Sequence, residues 1–422
     1  MANVVQVPEL IIHIVENLAS STRSLLACSL VSSAWYLCVR PYLFATVCLR
    51  GQRTPLITRI PAFLACIKPT NSIGQYIQTL LFREGQRKDP YVNSTVLASL
   101  FPHLPCLHSL YLIDIAFKGA EIPLPHLEPP RKIRSLSFRF KASESYTVQH
   151  VLDILGLFSH VDELRLSSDD PEGDEIIRGS EGNPATSVHV PGQPFTISKF
   201  ILNPGMHVYN SMLVRLGETR SVLIEYLDVG IFVRNDLDWE DLGALTRNNR
   251  ATIQTLIFKP RNPWFEPPLI VLRRPFLYMH RNLPNLQSLQ SFTLHHEILN
   301  QSELHFPKIW ALLSASLLEL PISLHHIKLV LLPRMHPLPE VILSPIKLWS
   351  RDGLSWEVIR KAFDRLTALE TATFINDGKF LPTPHPRIHH DGVLEKIKAE
   401  LSQLARSSLV IRYETVERQC DI

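Results

Sequence analysis

The residues able to do chemistry are scattered, and none falls into a catalytic spacing. His296-Glu297 opens like the helix of a zinc protease, but Asn300 stands where the second His belongs. His385, His389, His390 and Asp391 form a donor cluster. Pro382, Pro384 and Pro386 put that cluster in a loop, and no remote fourth ligand is identifiable. There is no phosphate-cradling Gly-rich loop, no nucleophile elbow and no dinucleotide fingerprint. The six cysteines, Cys28, Cys38, Cys48, Cys66, Cys106 and Cys420, include no C-x-x-C pair, so they read as small hydrophobes in a reducing compartment. The expectation is a non-enzyme with no cofactor and no metal.

What remains is binding, and the bulk numbers narrow its kind. Lys and Arg number 43 against 40 Asp and Glu, a balance that does not by itself argue for nucleic acid. Hydrophobic residues make up 45% of 422, enough for a sizeable core. Pro outnumbers Gly, 32 to 16, which suits many short elements broken by turns. No basic segment opens the chain, and its early charge-free stretch, interrupted by serines, falls short of the about 20 apolar residues a spanning helix needs. The reading is an intracellular protein, cytoplasmic or nuclear, with no membrane segment.

The first fifty residues are the greasiest for their size. Pro8 reads as the first residue of a helix whose stripe is Leu10, Ile11, Ile14, Val15 and Leu18. Ser20, Ser21 and Thr22 supply a cap for a second helix. Leu25, Leu26, Ala27, Cys28, Leu30 and Val31 surround nearly its whole circumference. A third helical stretch carries Trp35, Leu37, Val39 and Tyr42, with Pro41 marking a break or restart. A helix apolar all round must be covered all round, and three short helices bury too little surface to do so alone. The cover is either the rest of the chain or a second protein.

Val7-Pro8-Glu9-Leu10-Ile11, Leu25 to Ser32, Trp35 and the exit Arg40-Pro41-Tyr42-Leu43-Phe44 together resemble the F-box motif of many fungal F-box proteins. Two positions depart from it: Val7 replaces the usual leucine, and Ser24 stands where an acidic residue is common. The resemblance implies docking on the Skp-type adaptor of SCF ubiquitin ligases, and through it on cullin and RING subunits. It implies docking positions Pro8, Leu10, Ile11, Ile14, Leu26, Leu30, Val31 and Trp35, some of them shared with the module's own core.

Beyond the helices one six-residue template recurs, apolar at its first, fourth and sixth positions. Ile77 to Phe82, Leu107 to Leu112, Ile133 to Phe138, Val161 to Leu166 and Ile197 to Leu202 are the first copies. Ile224 to Val229, Ile253 to Phe258, Leu289 to Leu294, Leu324 to Leu329 and Leu369 to Phe374 follow, with Arg406 to Ile411 a degraded last one. The fourth position advances in steps of 26 to 45 residues, the signature of a solenoid. Amphipathic helical segments precede several copies: Val148 to Phe158, Trp239 to Thr246, Ile309 to Leu318, Trp356 to Leu366 and Val393 to Leu404. Alternating helix and strand predicts parallel strands joined by crossovers. The pattern resembles the leucine-rich-repeat-like body of F-box proteins, without the Asn or Cys ladder of regular repeats. An ordinary α/β fold, enzyme or nucleic-acid binder stays open as the alternative.

In a strand the side chains alternate, so if positions four and six point inward, three, five and seven point outward. The outward set holds Arg83, Arg139, Arg165, Lys199, Lys259, Lys328 and Arg412 against Glu163 and Asp228, with Tyr111, Tyr226, His295 and His326 among them. A basic concave face of this kind suits an acidic or phosphorylated protein segment. Of these, Arg83, Tyr111, Arg139, Arg165, Lys199, Lys259, His295, His326 and Lys328 are the candidate substrate-binding residues. An acidic insert, Ser167 to Pro194, and an aromatic-basic one, Lys259 to Arg281, flank the face. The expected layout is a three-helix module over 1–50, a connecting segment over 51–75, an α/β solenoid with a parallel concave sheet over 76–415, and a tail over 416–422. The expected role is substrate recognition for an SCF-type ligase, or an F-box scaffold without a degradative role.

Overall fold

A computed structural model describes residues 8–51, 56–68, 73–84, 92–115, 131–140, 148–168, 195–203, 222–232, 236–261, 281–299, 317–334, 356–377 and 409–416. The chain forms two compact units, Met1–Ile197 and Ser198–Ile422. The cluster at 385–391, Cys420, most of both inserts and the segments 309–316 and 393–404 lie outside the described residues.

The first unit opens with α1 (Pro8–Asn17), α2 (Thr22–Ser29) and α3 (Ser33–Leu43). Ser21 caps α2, accepting from the Ser24 N–H, and Ser32 caps α3 through the Trp35 N–H. Pro41 does not break α3, which runs through it to Leu43. It sits within the last turn, where its missing N–H forfeits a single bond, and the Phe44 N–H closes onto the Arg40 carbonyl at 3.0 Å.

Only Phe44 and Ala45 separate α3 from β1 (Thr46–Gly51). This strand corrects the expected boundary, because the array begins inside the first fifty residues. The expected connector over 51–75 contains α4 (Leu56–Ile67), with Pro61 inside it. Then come β2 (Thr79–Glu84), α5 (Ser94–Leu100), β3 (Ser109–Ile113), β4 (Arg131–Phe140), α6 (Val148–Leu155) and β5 (Phe158–Ser168). From β1 to β5 each strand pairs in parallel with the next in the chain. β6 (Phe195–Leu202) straddles the boundary of the two units.

The second unit repeats the scheme. β7 (Val222–Phe232), α7 (Asp236–Asn248), β8 (Thr255–Arg261), β9 (Ser291–Leu299), β10 (His326–Arg334), α8 (Trp356–Arg365), β11 (Thr371–Asp377) and β12 (Val410–Val416) follow in order. Each of its strands also pairs in parallel with its successor. Each unit is therefore α/β and solenoid-like, since parallel neighbours in chain order require a crossover at every step.

The template positions behave as alternation demands. Fourth and sixth residues such as Leu80 and Phe82, Leu136 and Phe138, or Leu256 and Phe258 are buried at 1% exposure or less. One further copy went unread: Phe44, Val47 and Leu49 occupy positions one, four and six of β1, whose Thr46 pairs with Thr79. The last copy is displaced by two residues, because Ala372 pairs with Ile411, making Ile411 the fourth position instead of the sixth.

Register is set at the second position of the template. The Gln78 carbonyl accepts both the His108 and Ser109 N–H, at 2.9 and 3.0 Å. Ala45 and His108 do the same in this unit, and Gln254, Gln290 and His325 in the other. The turns ahead of the strands are tied as well. The half-buried Arg131 guanidinium donates to the carbonyls of Phe101, Leu104 and Pro105 and lies over the Phe101 ring. Burial pulls its pKa below the usual arginine value. Asn249 is buried, accepting from the Ile224 N–H at 2.9 Å and donating to the Leu245 carbonyl at 3.0 Å. Gly74 packs so close to the next turn that a Cβ would stand 2.0 Å from the His103 carbonyl oxygen. Gly74→Ala should therefore cost about 1–3 kcal/mol through forced backbone displacement. A urea titration giving an unchanged midpoint would contradict this contact.

Candidate docking and recognition faces

Two kinds of surface differ in chemistry, one on the helices of the first unit and one on the strands of each unit. The first belongs to the helices. Their core is small: Ile11, Val15, Leu25 and Val39 are buried, with Leu18, Cys28, Ala34, Trp35, Cys38, Tyr42 and Leu43 packed partly against them. The single stripe expected on α1 splits in two. Ile11 and Val15 face inward, while Leu10 and Ile14, four residues apart, stand 48% and 45% exposed. On α2 the same division leaves Leu25 inside and Leu26 outside, at 53%, and the turn that ends the helix leaves Leu30 and Val31 outside, at 87% and 62%.

Of the eleven large hydrophobic side chains exposed among the described residues, eight lie between Leu10 and Leu37. The other three, Leu223, Ile322 and Val410, are isolated along the chain. Among the described residues exposed apolar surface is thus concentrated on one short module, and that is the condition under which a partner surface is the usual explanation. Of the candidate docking residues, Pro8, Leu10, Ile14, Leu26, Leu30 and Val31 are exposed. Ile11, at 2% exposure, is a correction: it is core, because the inward half of α1 must cover Leu25 and Val39. Trp35 is half-buried, with its indole N–H enclosed and unbonded, so it serves packing more than contact. Tyr36 and Leu37 are exposed positions that the motif resemblance did not single out.

The module is held firmly to the strands. Arg40 lies over the rings of both Tyr36 and Tyr76, 5.3 Å from each centroid. The Ala45 carbonyl accepts from the N–H groups of Gln78 and Thr79.

The second face is the outward side of the strands, and here the expected excess of positive charge is partly cancelled. Arg165 donates to the Glu163 carboxylate at 2.9 Å. Lys259 meets Asp228 at 2.8 Å, and Arg139 stands 3.9 Å from Asp114. Asp114 was not counted in the sequence because it follows β3, in the left-handed region at φ 55°, a conformation aspartate tolerates. Lys199 is spent on the Tyr226 ring, 5.3 Å away. His326 bonds Thr371 across the strands at 2.8 Å, and His295 is half-buried. Tyr111 is half-buried, and Arg83, Lys328 and Arg412 are exposed. Arg50, on β1, joins the outward set as a residue the sequence reading missed, since β1 itself was missed.

His296 and Glu297 lie in strand β9, not on a helix. Among the described residues no three His, Cys, Asp or Glu gather as metal ligands. Among them also, no helix is long and apolar enough to cross a membrane. No protein-family model matches the chain, and no curated protein matches it.

If the outward residues of α2 and its C-cap do no work in the chain's own core, a double change to Leu26→Asp and Leu30→Asp should shift stability by less than about 1 kcal/mol. Leu25→Asp should instead unfold the module, as a charge placed in its core. Thermal melts of both variants distinguish the two sides of one helix.

Proposed function

We propose that this chain is a substrate-recognition adaptor of an SCF-type ubiquitin ligase. Its α1–α3 module docks on the Skp-type adaptor, and its leucine-rich-repeat-like strand array holds a protein substrate. The observation that carries the reading is the outward side of α1, α2 and the turn that follows α2. Leu10, Ile14, Leu26, Leu30 and Val31 are too apolar to be left in water, and they fall on the segment that resembles an F-box. Covering a side chain of this size removes apolar surface worth about 1 kcal/mol or more when it is half exposed beforehand. Several together supply the hydrophobic anchor of a stable interface.

In this mechanism the chain supplies no reacting group. Holding the substrate near a charged ubiquitin carrier converts an encounter between free molecules into one at high effective concentration. The site of action is the cytoplasm or nucleus, where such ligases work. A scaffold role without degradation shares the docking step and differs only in the fate of the bound protein.

The test is co-purification of the full chain with a purified Skp-type adaptor. Binding by the wild type, lost at least about tenfold in the Leu26→Asp, Leu30→Asp variant, is the expected result. A folded wild-type chain that ignores the adaptor would overturn the proposal. Stabilisation of the bound substrate in cells lacking the chain then separates a degradative role from a scaffold.

A further inference from the structure

The outward row at the seventh template position is unusual. Arg50 on β1 and Arg83 on β2 are register partners on adjacent parallel strands. Continuing the row, Arg83 pairs with Ile113, and Ile113 with Arg139. Partners in neighbouring strands sit about 4.8 Å apart. Two like charges placed side by side destabilise a sheet. Elsewhere on these strands the chain relieves that strain: Arg139 has Asp114, and Arg165 has Glu163. Among the described side chains no carboxylate is paired with Arg50 or Arg83. Among the described residues Arg50 makes one polar contact, from its Nε to the Cys48 sulfur at 3.4 Å. That contact leaves the two terminal nitrogens of the guanidinium for something else. Both side chains are exposed.

We propose that Arg50 and Arg83 form a binding site for a phosphomonoester group carried on a peptide. The charge count favours phosphate over carboxylate. A carboxylate is satisfied by one guanidinium fork, whereas a phosphomonoester brings close to two negative charges and three acceptor oxygens, enough for two forks. The neighbouring residues favour a peptide over a free ion. Leu81 and Tyr111, one row away, and Ile113, beside Arg83 in the same row, are all half-buried. They offer an apolar strip to the side chain next to the phosphorylated one. The use of this site in substrate capture rests on the proposed adaptor role, but the binding itself needs no adaptor protein.

The experiment uses the full chain alone, so its outcome is independent of adaptor docking. A fluorescent hexapeptide with one phosphoserine followed by leucine, its unphosphorylated twin and its glutamate-substituted twin are titrated by anisotropy. Inorganic phosphate serves as competitor. Only the phosphorylated peptide is expected to bind well, and rising salt should weaken it. Arg50→Gln and Arg83→Gln should each weaken binding several-fold, and the pair more than about tenfold, with the thermal melt unchanged or raised by relief of the like-charge contact. Arg139→Gln should change it less than either. Equal binding of the unphosphorylated or glutamate peptide overturns the proposal. So does unaltered affinity in the double variant, or inorganic phosphate competing as strongly as unlabelled peptide, which would make the occupant a free ion.

Discussion

A single recurring hydrogen-bond arrangement underlies everything else in this fold: one backbone carbonyl, at the second template position filled by Ala45, Gln78, His108, Gln254, Gln290 and His325, receiving two consecutive N–H groups from the next copy. In a strand, a slip of one residue exchanges the two faces. Holding the entry point of each strand with a paired donor prevents that slip at its origin. Leu80, Leu110 and Leu136 thereby remain in one buried line, and Arg50, Arg83 and Arg139 remain in one exposed line. The chemistry of both faces follows from a constraint that involves no side chain at all.

That also explains what could be read from the amino acids and what could not. Burial of apolar residues two apart is a side-chain property, so the copies from Ile77 to Phe374 stood out in the sequence and are strands in the structure. Helices α6, α7 and α8 were visible for the same reason, each preceding a template copy. β1 was missed because Phe44-x-x-Val47-x-Leu49 was absorbed into the helical segment ahead of it. α4 escaped because Pro61 hides its pattern, and α5 because seven residues carry too little periodicity. The last template copy was misplaced because Leu409 and Ile411 share their parity with the true register, so only strand pairing separates the two alignments.

The faces were legible only in part. Alternation correctly sent Arg83, Arg139, Arg165, Lys259 and Lys328 outward, but it is blind to what stands beside them. Glu163 is two residues from Arg165, and Asp228 one strand from Lys259, so charges counted as free are ion pairs. On the helices, composition announced an excess of apolar surface without assigning it. Ile11 and Leu10 look equivalent in the sequence, yet one is the centre of a small core and the other lies in solvent. Three-dimensional packing alone makes that choice.

The junction at Phe44 and Ala45 has a mechanical consequence. Two residues, one of them already bonded into the strand entry, leave no swivel between α3 and β1. Arg40 clasped against Tyr36 and Tyr76 stiffens the joint further. Any body gripping the helices must therefore turn the first strands with it, like a handle forged onto a blade. Whatever lies along those strands would then be offered at one bearing, and its freedom to reach outward would come from its own slack, about 3.4 Å for each unfolded residue beyond the point of capture.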